Sequence, residues 1–215
     1  MTEWILQAEL RKRWAVHGVR IEGARCMLVA WEVMVPSWRI NSPSRHWNEP
    51  SLDFLLADER MNLIVVELKR EIRGQVPAWN VLAQVTHRAL RVAETATKDL
   101  VDSVWKECWS GQRAPFHRTT GSLAEAHRTF FDLPRGATLK DDVGRVVAAQ
   151  RFGHQWADIL GTFNKSSPKV LRSRLEPMSI PKAGKEIRRL LGRPADVVER
   201  CLAPVSSLLI GGTDV

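Results

Sequence analysis

Residues 51–69 read SLDFLLADERMNLIVVELK, and the reading of this stretch decides the fold. The polar turn DERMN separates two short apolar strands. Arg60, at its centre, lies seven residues from both Asp53 and Glu67. In a symmetric hairpin the two carboxylates therefore face each other across the ladder, an arrangement that like charges destabilise. A divalent cation between them removes that cost. Side chains alternate along a strand, so Lys69 shares a face with Glu67. Leu52, Phe54, Leu55, Ile64, Val65 and Val66 surround the acids with apolar residues, where a charge is costly unless partnered. Asp58 and Glu59, in the turn, read as solvated.

The flanking sequence builds outward from this hairpin. Residues 3–17 carry Leu6, Leu10 and Trp14 at four-residue spacing, an amphipathic helix that Gly18 can stop. CMLVAWEVMV (26–35) reads as a strand ended by Pro36, and 41–50 has loop chemistry. Residues 78–109 have helical periodicity with a break near Thr95–Thr97. Residues 110–121 form a basic loop, and Ser122 with Glu125 makes a capping box before a helix to about Phe131. GRVVAAQRF (144–152) reads as a further strand and 154–165 as a helix. VLRSRLEPM (170–178) is ambiguous between a late strand and other structure, and Pro181 and Pro194 open two short helices.

Composition bounds the rest. A chain of 215 residues with 44% hydrophobic and 26% charged content is ordinary for a soluble globular protein. No run of 18 apolar residues exists and the first residues lack a secretory pattern, so a cytoplasmic protein without a membrane span is expected. Cys26, Cys108 and Cys201 are scattered, offering neither a disulfide framework nor a zinc spacing. His46, His117, His127 and His154 likewise show no zinc spacing. The net charge of +8 is uneven: residues 1–111 hold 15 basic against 14 acidic residues, and 112–215 hold 17 against 10. A basic surface beside an acidic centre suits a polyanion, although a high pI also serves solubility alone. Of nine tryptophans, most are expected in the core rather than on bases.

The order helix, strand, hairpin, helix, strand, helix, with Asp53 and Glu67-Leu68-Lys69, resembles the PD-(D/E)XK nuclease superfamily, the restriction-endonuclease-like fold. The likeness covers residues 1–90 and extends to 165 with the strand at 144–152. It implies an α/β fold with an αβββαβ core, a mixed sheet flanked by helices, and a helical, basic C-terminal elaboration. The domains are then a core at 1–165, containing a helical insertion at about 98–143, and an extension at 166–215 packed on it. The sequence departs from the pattern where Ser51 and Leu52, not a proline, precede Asp53, and in the size of the 98–143 insertion.

The resemblance implies a Mg2+-dependent nuclease, with Mn2+ as a substitute metal and nucleic acid, DNA first, as the partner. Asp53, Glu67 and the Leu68 carbonyl would hold the metal, and Lys69 would orient the attacking water or stabilise charge at phosphorus. Gln84, on the helix after the lysine, would sit behind the metal ligands or meet a phosphate. Glu3, Glu9 and Glu32 compete as the auxiliary acid. Glu9 is favoured over Glu3 because Glu3 lies in a first turn that frays. His87, on the Gln84 face, reads as a helix–sheet contact. A homodimer is compatible with the fold, since many such enzymes cut two strands as pairs. E-x-K by itself is common on solvated strand faces, and a structural salt bridge from Lys69 leads to the alternative, a non-catalytic nucleic-acid-binding protein of the same fold.

Overall fold

The computed structural model describes residues 3–21, 23–40, 51–110, 121–140, 142–165 and 171–179. These belong to one compact unit, Thr2–Ile180; a second unit, Pro181–Val215, lies outside the described residues. So do the loop at 41–50, most of the basic loop at 110–121, Cys201 and the helices expected from Pro181 and Pro194.

Helix α1 (Glu3–His17) buries Leu6, Leu10 and Trp14. Gly18, at a φ of +67°, ends it, and its N–H donates to the Trp14 carbonyl at 2.9 Å. A Cβ at Gly18 would lie 2.3 Å from the Cys26 carbonyl oxygen, so no larger residue fits without movement. Strands β1 (Val19–Ile21), β2 (Ala24–Met34) and β3 (Arg39–Ile40) follow, then the hairpin β4 (Ser51–Asp58) and β5 (Leu63–Ile72). Helices α2 (Gln75–Thr95) and α3 (Lys98–Ser110) are divided at the expected break. Helix α4 (Leu123–Phe131) carries the Ser122–Glu125 capping box. Strand β6 (Val143–Phe152), α5 (Trp156–Lys165) and β7 (Leu171–Ser179) complete the order.

The strands form one mixed sheet in the order β1-β2-β4-β5-β6-β7, with β3 paired to β2. Pairing is antiparallel from β1 through β5 and parallel from β5 through β7. Helices flank it, which makes the molecule a mixed α/β protein. The sheet continues past residue 165, because β7 pairs with β6 as far as Ser179.

The two faces are told apart by single residues of β4. Phe54 packs against Trp14 of α1, ring centroids 4.6 Å apart. Asp53 and Leu55 alternate to the other face, the one α2 covers. With helices on both sides, β4, β5 and β6 read as near-continuous buried runs. Each fully buried Leu, Val or Phe there contributes about 1.5–3 kcal/mol. Near the other edge, β2 carries a bulge between Leu28 and Ala30, and Trp109 of α3 donates to the Val29 carbonyl at 2.8 Å.

Candidate functional site

The hairpin register brings the expected acids together. Phe54 pairs with Val66 and Leu55 with Val65, so the next step of the ladder sets Asp53 opposite Glu67. The Asp53 carboxylate accepts the Leu68 N–H at 2.7 Å, which ties one acid to the backbone beside the other. Lys69, two residues from Glu67 on the same face, places its Nζ 2.8 Å from Glu67 Oε1. Asp53, Glu67 and Lys69 thus share one surface of two adjoining strands.

Two helices close around them. From α2, the Arg88 guanidinium contacts Glu67 Oε2. From α1, the Glu3 carboxylate reaches Lys69 Nζ at 3.3 Å and accepts the Arg70 N–H at 3.4 Å. Gln7, one turn on from Glu3, donates to the Asp53 carbonyl at 3.4 Å. Three carboxylates and two cations therefore cluster here, of which Glu67 and Arg88 are buried in the protein interior.

Burial governs the electrostatics. Glu67 is 1% exposed, and although both of its oxygens lie against a cation, neither accepts a hydrogen bond of good geometry. Burial pushes the Asp53 carboxyl above its ordinary pKa, against the opposing pull of the Leu68 N–H, Lys69 and Arg88. Burial also lowers the pKa of Arg88, opposed by the charges of Asp53 and Glu3. The charged forms are under tension here, held by mutual attraction rather than by water.

No family model, curated protein or solved structure matches this chain. Among the described residues, no group of three or more His, Cys, Asp and Glu is arranged to hold a metal ion. The donor set nonetheless has hard-cation character: two carboxylates on one face, one with buried oxygens short of directional hydrogen bonds. Glu67 and Asp53 are the residues that would hold such an ion, and the Leu68 carbonyl lies in the same strand between Glu67 and Lys69.

Other expected residues fall elsewhere. Glu9 is not the acid of α1 that reaches the cluster. It stands about one and two-thirds turns beyond Glu3, so it points away from the Glu3–Gln7 face, and its charge is felt by Arg13. Glu3 stays in place despite its first-turn position because Lys69 and the Arg70 N–H hold it. Glu32 falls opposite Asp53 in the β2–β4 register, between the pairs Trp31–Phe54 and Val33–Leu52. Its φ of +53° breaks the strand's alternation, and its charge acts on Cys108 of α3 instead. Gln84 is half-buried one helical turn before Arg88 and makes no hydrogen bond or ion pair among the described residues. His87 is exposed rather than packed on the sheet, because the helix turns Arg88 and Ala89 inward and leaves His87 outward.

One smaller expectation is also corrected. Asp58 is no solvated turn residue: it accepts from the Arg60 N–H, the Asn62 N–H and Asn62 Nδ2 at 2.8–3.0 Å. His127 is fully buried in α4, with Nε2 2.7 Å from the Asp58 carbonyl. Cys26 and Cys108 are buried free thiols, and burial pushes the Cys108 thiol up to about 12, far from a reactive thiolate. Among the described residues no helix is long and apolar enough to cross a membrane.

Arg88 is the residue of this cluster that the sequence did not single out. An arginine late in an amphipathic helix reads as a solvent-facing residue. The available signal was its place: Val81, Leu82, Val85 and Ala89 are buried neighbours on the same helix, and Arg88 falls within their arc.

Proposed function

We propose that the chain is a metal-dependent nuclease of PD-(D/E)XK type that hydrolyses phosphodiester bonds, DNA being the first substrate to test. The observation that carries this reading is the Asp53 carboxylate accepting the Leu68 N–H at 2.7 Å, beside Glu67, with Lys69 Nζ 2.8 Å from Glu67. The order α1, β2, β4, β5, α2, β6 supports the αβββαβ core, with the final strand parallel to β5. Sheet, helices and charge together favour a site facing a polyanion.

Asp53 and Glu67 would hold Mg2+ or Mn2+, with the Leu68 carbonyl as a further oxygen. When bound, the ion would neutralise charge at phosphorus and lower the pKa of a coordinated water. Lys69 Nζ would orient the attacking water or counter the negative charge that develops on the phosphoryl oxygens. Glu3 would hold Lys69 in place from α1. The buried walls of β4, β5 and α2 would exclude bulk water and strengthen each of these interactions.

A second reading is favoured by one observation. Arg88 and Lys69 together already balance the Glu67 charge. A nucleic-acid-binding protein of this fold without catalysis would look the same at that carboxylate. Incubation with plasmid and with single-stranded DNA, each in Mg2+, Mn2+ and EDTA, separates the two. The nuclease reading expects cleavage in either metal and none in EDTA, lost in Asp53→Ala, Glu67→Ala and Lys69→Ala while salt-dependent DNA binding persists. Cleavage by an Asp53→Ala or Glu67→Ala protein at the wild-type rate contradicts the site.

A further inference from the structure

We infer that Arg88 is an internal counter-ion that competes with a divalent cation for Glu67, so that the site binds metal weakly until this arginine is displaced. The inference rests on the proposed metal site and concerns how that site is loaded. Its basis is the environment of the guanidinium. Arg88 is 8% exposed, contacts Glu67 Oε2, and lies close enough to Asp53 and Glu3 for both charges to act on it. It therefore stands where positive charge best serves the carboxylate pair.

A second buried arginine on the same helix–sheet interface has a different kind of partner. Arg145 of β6 is buried still more deeply, and its Nη1 donates to the Thr86 hydroxyl of α2 at 3.0 Å. That guanidinium is anchored by a directional bond to a neutral partner. Arg88 instead meets a buried carboxylate, Glu67. A doubly charged ion would compete with the guanidinium for the same oxygen. Lys69 approaches the other oxygen of Glu67, so displacing Arg88 frees Oε2 without disturbing the lysine.

The test uses the full chain and Mn2+ alone, with free Mn2+ read by electron paramagnetic resonance. Arg88→Gln keeps a polar group near Glu67 and removes the charge. It is expected to bind Mn2+ roughly tenfold more tightly than wild type, the effect of losing one nearby like charge. Arg88→Lys keeps the charge and is expected to bind as weakly as wild type. Equal or weaker binding by Arg88→Gln overturns the inference and leaves the metal site standing. Absence of binding in all three proteins removes the metal site itself. Should Arg88→Gln be unfolded in EDTA, Mn2+ must restore its far-ultraviolet circular dichroism; failure to do so overturns the inference.

Discussion

The two ends of the β4–β5 hairpin each carry a carboxylate, and they are built on opposite terms. At the turn, Asp58 accepts three hydrogen bonds from Arg60 and Asn62, all of good length and all from its own loop. At the open end, Asp53 accepts one backbone N–H, and Glu67 lies between two cations without a well-formed hydrogen bond. The first acid is fully used in folding the turn. At the open end Glu67 is buried between two cations, and Asp53 is half-buried with one backbone donor.

Breaking the open end should have the largest effect on stability. Glu67→Gln strips Arg88 of its main partner and leaves a buried cation, at a cost of about 3–5 kcal/mol. Urea denaturation in EDTA measures it; a loss below that of the turn variant next described would erase the contrast between the two ends. Asp58→Ala leaves the Arg60 and Asn62 donors to find water, and should cost about 1–3 kcal/mol. It should leave any metal-dependent activity in place, because the turn lies at the far end of both strands.

Asp53→Asn sharpens the comparison through its sign. Asparagine can still accept the Leu68 N–H, and it removes a charge that burial disfavours. The folded pKa is raised above the ordinary value of 3.8, so the native state binds more protons than the unfolded chain over the interval between the two. Whatever stability that carboxyl adds is complete below about pH 4 and declines as pH rises through the raised value. The variant should therefore match wild type in acid and become the more stable protein toward neutrality. Thermal melts across that range decide it, and a wild type that gains on the variant as pH rises would reverse the assignment. Glu3→Gln should have the smallest effect. Its pair with Lys69 is exposed, worth less than about 1 kcal/mol and weakened by added salt.

These effects bear on what the sequence made legible. The hairpin could be read because its turn is symmetric about Arg60 and its strands are apolar on both sides. The break between α2 and α3, the Ser122 capping box and β6 followed from local chemistry. The residues 170–178 were ambiguous because a parallel edge strand depends on a partner far away in sequence, here β6. The charged shell was less accessible for the same reason. Glu3 reaches Lys69 across 66 residues, and helix geometry alone cannot tell which acid of α1 faces the sheet. Glu32, in register opposite Asp53, takes a left-handed φ of +53°, which the sequence pattern of a strand does not foretell. Arg88 was hidden by its residue type, since a buried arginine is expected only once its carboxylate is known.

Both variants at the open end lead back to whether Asp53 and Glu67 act on one ion. Calorimetric titration of Mn2+ into the full chain and into Asp53→Asn at the same pH tests this most directly. The account predicts saturable, one-to-one binding by the wild type that is lost in the variant. Identical heats from the two proteins, or no binding by the wild type, would contradict it.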